Sequence, residues 1–303
     1  MTHRRAGAAG VLVLLLAGGL GLSGCGKSKS SSAAKPAITI GSFNFGESEF
    51  LADVYATALR RKGYTVNVRA KLGSREIVEP ALESGQVDMV PEYEGTLLEF
   101  LNKSAGEASG DTVATAAKLR DRLKAKNVVA LTPSPAADQN AFAVTKTTAD
   151  KDHLTKVSDL APVASKLVLG GPPECPTRPF CQPGLQKTYG LTFKSFKSLD
   201  AGGALTKDAL AKGDIDVGLI FSSDGSIEAR GFTVLDDDKH LQTADNVIPV
   251  LRSAKATSEI RSVLDATSAK ITTALLQQYN KKIDVDKADP SDAAKQFSDA
   301  YLM

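Results

Sequence analysis

Gly85-Gln86-Val87-Asp88 and Gly213-Asp214-Ile215-Asp216 are near-copies of one short phrase. In each, a glycine ends a helical stretch and a short β-prone run follows. One phrase used twice predicts two lobes with one plan rather than a single sheet.

The surroundings of the first copy repeat a simple grammar. Ile38-Thr39-Ile40-Gly41 reads as an entry strand and Ser42–Phe45 as a polar turn. Phe50, Leu51, Val54, Tyr55, Ala58 and Leu59 then fall on one face of a helix over Glu47–Lys62, which Gly63 stops. Tyr64–Arg69 alternates like a strand. Gly73-Ser74-Arg75-Glu76 opens another helix, with Ser74 as the expected N-cap. Val87–Val90 is a strand leading into Pro91-Glu92-Tyr93-Glu94-Gly95-Thr96. Strands alternating with helices predict a parallel α/β sheet.

Around the second copy the grammar returns. Lys166–Leu169 precedes a Gly/Pro-rich loop, Pro183-Gly184 opens a helix ending at Tyr189-Gly190, Leu205–Lys212 is helical, and Asp214–Phe221 is a buried strand. Ser258–Tyr279 reads as one long amphipathic helix. Ser291–Tyr301 reads as another, with Ser291 as N-cap. These two are expected to pack back on the first lobe, so the chain crosses twice. The expected division is 37–139 plus 238–303 for lobe I and 140–237 for lobe II. Ligands of open parallel sheets sit beyond the carboxyl ends of strands. The loops expected around a ligand are Ser42–Glu47, Gly73–Arg75, Glu92–Thr96, Asp138–Asn140, Gly171–Pro183 and Phe221–Asp224.

The N-terminus reads as a sorting signal. Arg4 and Arg5 precede the apolar run headed by Val11–Leu16, and small residues lead to Cys25. Residues 1–24 are read as a signal peptide. Leu22-Ser23-Gly24-Cys25 looks like a lipobox, with Cys25 lipidated; the rival reading is an ordinary signal that happens to end near a cysteine. Residues 25–36, biased to Ser, Lys and Ala, read as a flexible tether. The chain carries 37 Lys+Arg against 35 Asp+Glu, and discounting Arg4 and Arg5 makes the counts equal. With no basic stripe or clustered aromatics, nucleic acid is set aside. Cys175 and Cys181 lie close in sequence. An oxidising exterior favours a disulfide between them, and no histidine or third thiolate stands nearby for the competing metal site.

No catalytic set emerges. His153 and His240 sit in charged surroundings and read as surface residues. The Gly-x-Ser-x-Gly elbow and the phosphate-binding loop are both missing. Asp236-Asp237-Asp238 lacks the spacing of a calcium loop and reads as a charged surface turn. No cofactor and no metal are expected. An exported, tethered, two-lobed chain without such a set reads as a receptor, not an enzyme.

From about Ile38 onward the sequence resembles the solute-binding lipoproteins of ABC importers for glycine betaine, choline and related osmoprotectants. The resemblance rests on Ile40-Gly41-Ser42-x-Asn44-Phe45, Gly73-Ser74-Arg75-Glu76, Pro91-Glu92-Tyr93-x-Gly95-Thr96, Arg178-Pro179, Pro183-Gly184-Leu185, the second glycine phrase, and Phe221-Ser222-Ser223-Asp224-Gly225, all in order. It implies an α/β, two-lobed type II periplasmic-binding fold, each lobe a central sheet flanked by helices, joined by a two-stranded hinge. It also implies a monomeric receptor, lipid-anchored on the outer face of the cytoplasmic membrane. Such a receptor delivers a betaine-, choline- or carnitine-like solute to a permease with its ATPase. The alternative keeps the fold as a sensor or scavenger of a more hydrogen-bonding or aromatic solute.

Family members hold the ammonium among tyrosines, whose faces attract cations, and meet the other end with a basic residue. Tyr93, Thr96 and Arg178 match family positions, and Asp138 stands at an acidic one. Asn140, Gln182 and Phe221 stand where tyrosines are usual, and Phe43 where a lysine is common. Asn44 and Ser74 complete the candidate set. The competing roles are core packing for Tyr93, Phe221 and Phe43, and bracing of the Cys175–Cys181 loop for Arg178.

Overall fold

A computed structural model describes residues 35–302; the signal segment and Cys25 lie outside the described residues. The elements run in order β1 (Ile38–Gly41), α1 (Gly46–Arg61), β2 (Val66–Arg69), α2 (Arg75–Ser84), β3 (Met89–Tyr93), α3 (Glu94–Leu101), α4 (Thr112–Lys124) and β4 (Val128–Ala130). The chain continues through β5 (Asn140–Thr145), α5 (Lys146–Asp152), β6 (Val168–Gly171), α6 (Gln182–Tyr189), β7 (Ser195–Ser198), α7 (Ala204–Lys212), β8 (Val217–Phe221) and β9 (Phe232–Leu235). It closes with β10 (Val247–Arg252), α8 (Ser258–Ser268), α9 (Thr273–Asp284) and α10 (Pro290–Tyr301).

Two five-stranded sheets form, ordered β2-β1-β3-β10-β4 and β7-β6-β8-β5-β9. Set side by side they are the same sheet, with β1 matching β6, β2 matching β7, β3 matching β8, and β10 matching β5. The glycine phrases occupy equivalent places: Gly85 (φ 81°) ends α2 before β3, and Gly213 (φ 76°) ends α7 before β8. Both need the left-handed conformation that glycine adopts without a Cβ penalty.

The sheets are mixed, which corrects the expectation of parallel ones. β1 pairs in parallel with β2 and β3, but β10 runs antiparallel to both β3 and β4. β5 likewise runs antiparallel to β8 and β9. The reason is topological. β5 and β10 are the strands the chain enters after crossing between halves, so each starts from the cleft end. The crossing segments, 131–139 and 236–246, lie against each other. The Asp138 N–H donates to the Asp245 carbonyl at 3.0 Å, and the Asn246 side-chain amide to the Ser134 carbonyl at 2.9 Å.

The first half is one core, built on α1, whose Phe50, Leu51, Val54, Tyr55 and Leu59 are fully buried. In the second half the sheet separates two clusters, one around Leu169, Leu185 and Leu219 and one around Leu210, Ile215 and Ile220.

Three local expectations change. The stretch read as one helix over Ser258–Tyr279 is two, α8 and α9. Ile271 is buried at the corner, and the Thr272 hydroxyl accepts from the Leu275 N–H to start α9. Threonine and serine offer the backbone such local bonds in place of helix continuation. Asp289, not Ser291, caps α10, with Pro290 at the first helical position. Ser74 precedes α2 but its hydroxyl donates to Glu76 Oε2 at 2.5 Å instead of accepting from the backbone. At the described end of the tether, the Lys35 ammonium reaches the Lys62 carbonyl at 2.7 Å and Glu259 at 2.5 Å.

Candidate functional site

Between the two sheets lies a cavity of about 290 Å³. All six of the loops named from the sequence contribute to its wall. The first half supplies Phe43, Asn44, Phe45, Ser74, Tyr93 and Thr96; the crossing segment supplies Asp138; the second half supplies Asn140, Arg178 and Phe221. Gln182 is not part of the wall. It opens α6 with its N–H on the Cys175 carbonyl, and Phe180 and Cys181 line the cavity just before it.

The wall is strongly aromatic. Phe43 and Phe45 stack with centroids 5.8 Å apart, Tyr93 lies 6.2 Å from Phe45, and Phe45 meets Phe221 across the halves at 5.4 Å. Phe100 and Phe180 complete the lining. Sequence reasoning missed Phe45, Phe100 and Phe180. A signal existed for two of them: Phe45 stands two residues from Phe43 in one loop, and Phe100 lies one helical turn past Thr96. Tyr93 offers its ring, not its hydroxyl, to the cavity's polar chemistry. That hydroxyl donates to Glu47 Oε1 at 2.7 Å. Asn140 donates its side-chain amide to the Phe180 carbonyl at 3.3 Å.

Arg178 rides on the loop closed by the Cys175–Cys181 disulfide, whose Cα atoms are 5.2 Å apart. Gly184 lets α6 press against that loop, since a Cβ there would fall 2.0 Å from the Pro179 carbonyl oxygen. Arg75, also missed, is buried in the wall. It donates to Glu92 through Nε (3.0 Å) and Nη2 (2.7 Å) and to the Thr96 hydroxyl (3.0 Å), and lies 5.4 Å over the Phe43 ring.

Carboxylates crowd this region. Asp138 is buried and accepts from the Ser223 N–H at 3.1 Å; burial first, then the neighbouring Glu47, push its carboxyl well up. Glu47 accepts from Tyr93, Ser223 and Asn280, and burial still holds it above the ordinary range. Asp245 caps the start of α3 through the Gly95 and Thr96 N–H groups, both at 3.0 Å, and burial raises it to about 7.

Behind the cavity, Glu79 is raised to about 8, by burial first and then by Glu92, and neither of its oxygens has a hydrogen-bond partner. A carboxyl raised on folding binds its proton more tightly in the folded state. The stability it contributes is complete below the unfolded value, near 4.5 for Glu79, and is lost as pH rises through about 8. The melting temperature should therefore fall by about 5 °C or more between pH 5.5 and pH 8. Glu79→Gln should flatten that slope in a pH series of thermal melts; an unchanged slope would mean that Glu79 titrates normally.

The rest of the chemistry is structural. His153 and His240 are exposed. In the acidic turn after β9, Asp237 accepts from the Tyr189 hydroxyl at 2.5 Å and Asp238 from the Ser158 hydroxyl at 2.5 Å. Among the described residues no group of histidine, cysteine and acidic side chains is placed to hold a metal. No helix among them is long and apolar enough to cross a membrane.

Two like-built halves, facing each other over an aromatic and acidic cavity, define a solute-binding protein. The chain belongs to the family described as the substrate binding domain of ABC-type glycine betaine transport systems, matched over residues 36–300. It is 28% identical over 273 residues to the glycine-betaine-binding protein of Pseudomonas aeruginosa, with 86% of each chain covered. It is 27% identical over 296 residues to the carnitine transport binding protein OpuCC of Listeria monocytogenes, covering 94% of this chain and 93% of that one. A solved glycine betaine/carnitine/choline ABC transporter structure superposes with a TM-score of 0.69 at 27% identity, over 88% of this chain and 98% of the other. The chain is thus a solute-binding receptor of an ABC importer, not an enzyme, and such receptors work outside the cytoplasm.

Proposed function

We propose that this receptor captures a solute with a quaternary ammonium head, of the betaine, choline and carnitine class, and presents it to a membrane permease coupled to an ATPase. The observation that carries the reading is the ring wall of Phe43, Phe45, Tyr93 and Phe221, with buried Asp138 and Asp245 beside it. A quaternary ammonium has no N–H to donate and is attracted by ring faces, each worth ~0.5–2 kcal/mol. A cation beside Asp138 and Asp245 favours their ionised forms, against the burial that raises both. Rings from both halves meet at this point, so a bound head touches both and favours the closed arrangement over an open one.

On this reading segments 131–139 and 236–246 are the hinge, and the lobes divide at 139/140 and 237/238. The receptor acts as a monomer. Cys25 carries a lipid that keeps it at the outer face of the cytoplasmic membrane, and residues 25–36 form the leash.

The test is a thermal-shift series with choline, glycine betaine and carnitine. At a hundredfold excess over Kd, a true ligand should add ~2.7 kcal/mol of stability. No shift with any of the three, at millimolar concentrations, would defeat the proposal.

A further inference from the structure

The cavity wall holds two guanidinium groups, and the protein answers both itself. Arg75 is committed to Glu92 and Thr96. Arg178 is committed to Glu76: its Nη2 donates to Oε1 at 2.9 Å and Oε2 at 3.0 Å, and its Nε to Oε1 at 3.2 Å. Glu174 stands a further 3.9 Å from the same guanidinium. Glu76 lies in the first turn of α2 and Arg178 in the disulfide loop of the other half, so this pair spans the cavity.

The pair is arranged rather than incidental. The Ser74 hydroxyl donates to Glu76 Oε2 at 2.5 Å and fixes the carboxylate opposite Arg178. Burial works against the charge on Glu76, but the Ser74 hydroxyl, its own backbone N–H and Arg178 outweigh it and hold the carboxyl below its ordinary value. Glu76 is therefore an anion at neutral pH.

Other charges on the wall point the same way. Asp138, Asp245 and Glu99 form no ion pair among the described residues. They accept from neutral donors instead: Ser223 for Asp138, Gly95 and Thr96 for Asp245, and the Gly106 and Ala108 N–H groups for Glu99. The remaining cation of the wall is Lys103, exposed at its edge. Five acidic side chains thus face three basic ones, and the two buried or half-buried basic ones are already paired.

We infer that Glu76 determines the specificity of this cleft: by occupying Arg178 it selects organic cations that lack a carboxylate over zwitterions that carry one. The inference rests on the quaternary-ammonium reading above. A zwitterion entering the cavity must either break a three-bond, charge-assisted fork or leave its carboxylate unpaired, which is costly in a desolvated site. A cation with a hydroxyl or other neutral donor meets neither obstacle, and its charge complements the acidic wall.

The test compares choline with glycine betaine by titration calorimetry, on the full mature chain and on its Glu76→Gln and Glu76→Ala variants. Glu76 is exposed and outside the cores, and melts of the unliganded variants confirm folding. The wild type is expected to bind choline at least ~10-fold more tightly than glycine betaine, and both variants to shrink or invert that ratio by ~10-fold, the worth of one charge-assisted contact. A wild type that prefers glycine betaine overturns the inference while keeping the receptor reading. So do variants that shift both ligands equally. If neither ligand binds any of the three proteins the inference falls, and the quaternary-ammonium reading falls with it when carnitine also fails to bind.

Discussion

Arg75→Ala is expected to destabilise the protein by about 3–5 kcal/mol, because it leaves a buried carboxylate without its counter-charge. The Arg75 and Glu92 side chains are 7% and 1% exposed, and their fork is bidentate. Glu92 lies in β3, the central strand of the first sheet, and its carboxylate is buried behind Arg75. Thr96 loses a donor in the same step. Urea unfolding measures the loss. The double variant Arg75→Met with Glu92→Leu should recover most of it, since apolar replacement of a whole buried pair is often near neutral. A cost below about 1 kcal/mol for Arg75→Ala would show that the pair contributes no more than a surface bridge.

Lys207→Met should be nearly as damaging, again about 3–5 kcal/mol. The Lys207 side chain is 2% exposed and its ammonium donates to Asp224 at 2.8 Å and to Asp284 at 2.7 Å. Asp224 is buried at 4% side-chain exposure, so losing the lysine strands it. Asp284 ends α9, which packs on the first half, whereas Lys207 and Asp224 belong to the second. The substitution therefore removes both a core charge pair and a clamp between halves. Asp284→Asn isolates the clamp. It should cost far less in urea, because Lys207 keeps Asp224, yet the radius of gyration in solution scattering should increase. Equal losses for the two variants would mean that Asp224 is not what makes Lys207 indispensable.

Much of the fold was legible because it is written locally. The apolar face of α1 and the glycines that end α2 and α7 are periodic or conformational signals within a few residues. Strand direction was not legible. β10 lies between β3 and β4 although the whole second half separates it from β4 in sequence, and no local pattern encodes that insertion. The helix break at Ile271 hides for a related reason: Ile271 continues an apolar rhythm while the neighbouring Thr272 supplies the cap that ends it.

The site was legible in outline, since the loops that line it were named, and opaque in its electrostatics. Arg178 and Glu76 were both visible in quoted motifs, but nothing in their spacing says that they meet across a cavity. Arg75 stood in a loop expected near the ligand without a role of its own, and it is buried against Glu92. Gln182 failed because the wall follows the backbone only as far as Cys181 before α6 carries the chain away. Pairing between distant residues decides which charges remain available to a ligand.

The double crossing of the chain has a consequence for how the molecule is made. The second sheet uses only strands from Asn140 to Leu235, a continuous stretch that can close on itself as soon as it is complete. The first sheet cannot. Its β3 and β4 have no direct bond to each other and must wait for β10, which begins at Val247. Until then two strand edges stand open, the kind of surface that pairs with other chains. A polypeptide emerging N-terminus first thus assembles its earliest-made half last, and pairings this distant in sequence are slow to form. The vulnerable interval lasts until the final strand arrives, so chaperones that shield unpaired β edges have their clearest task on residues 38–130.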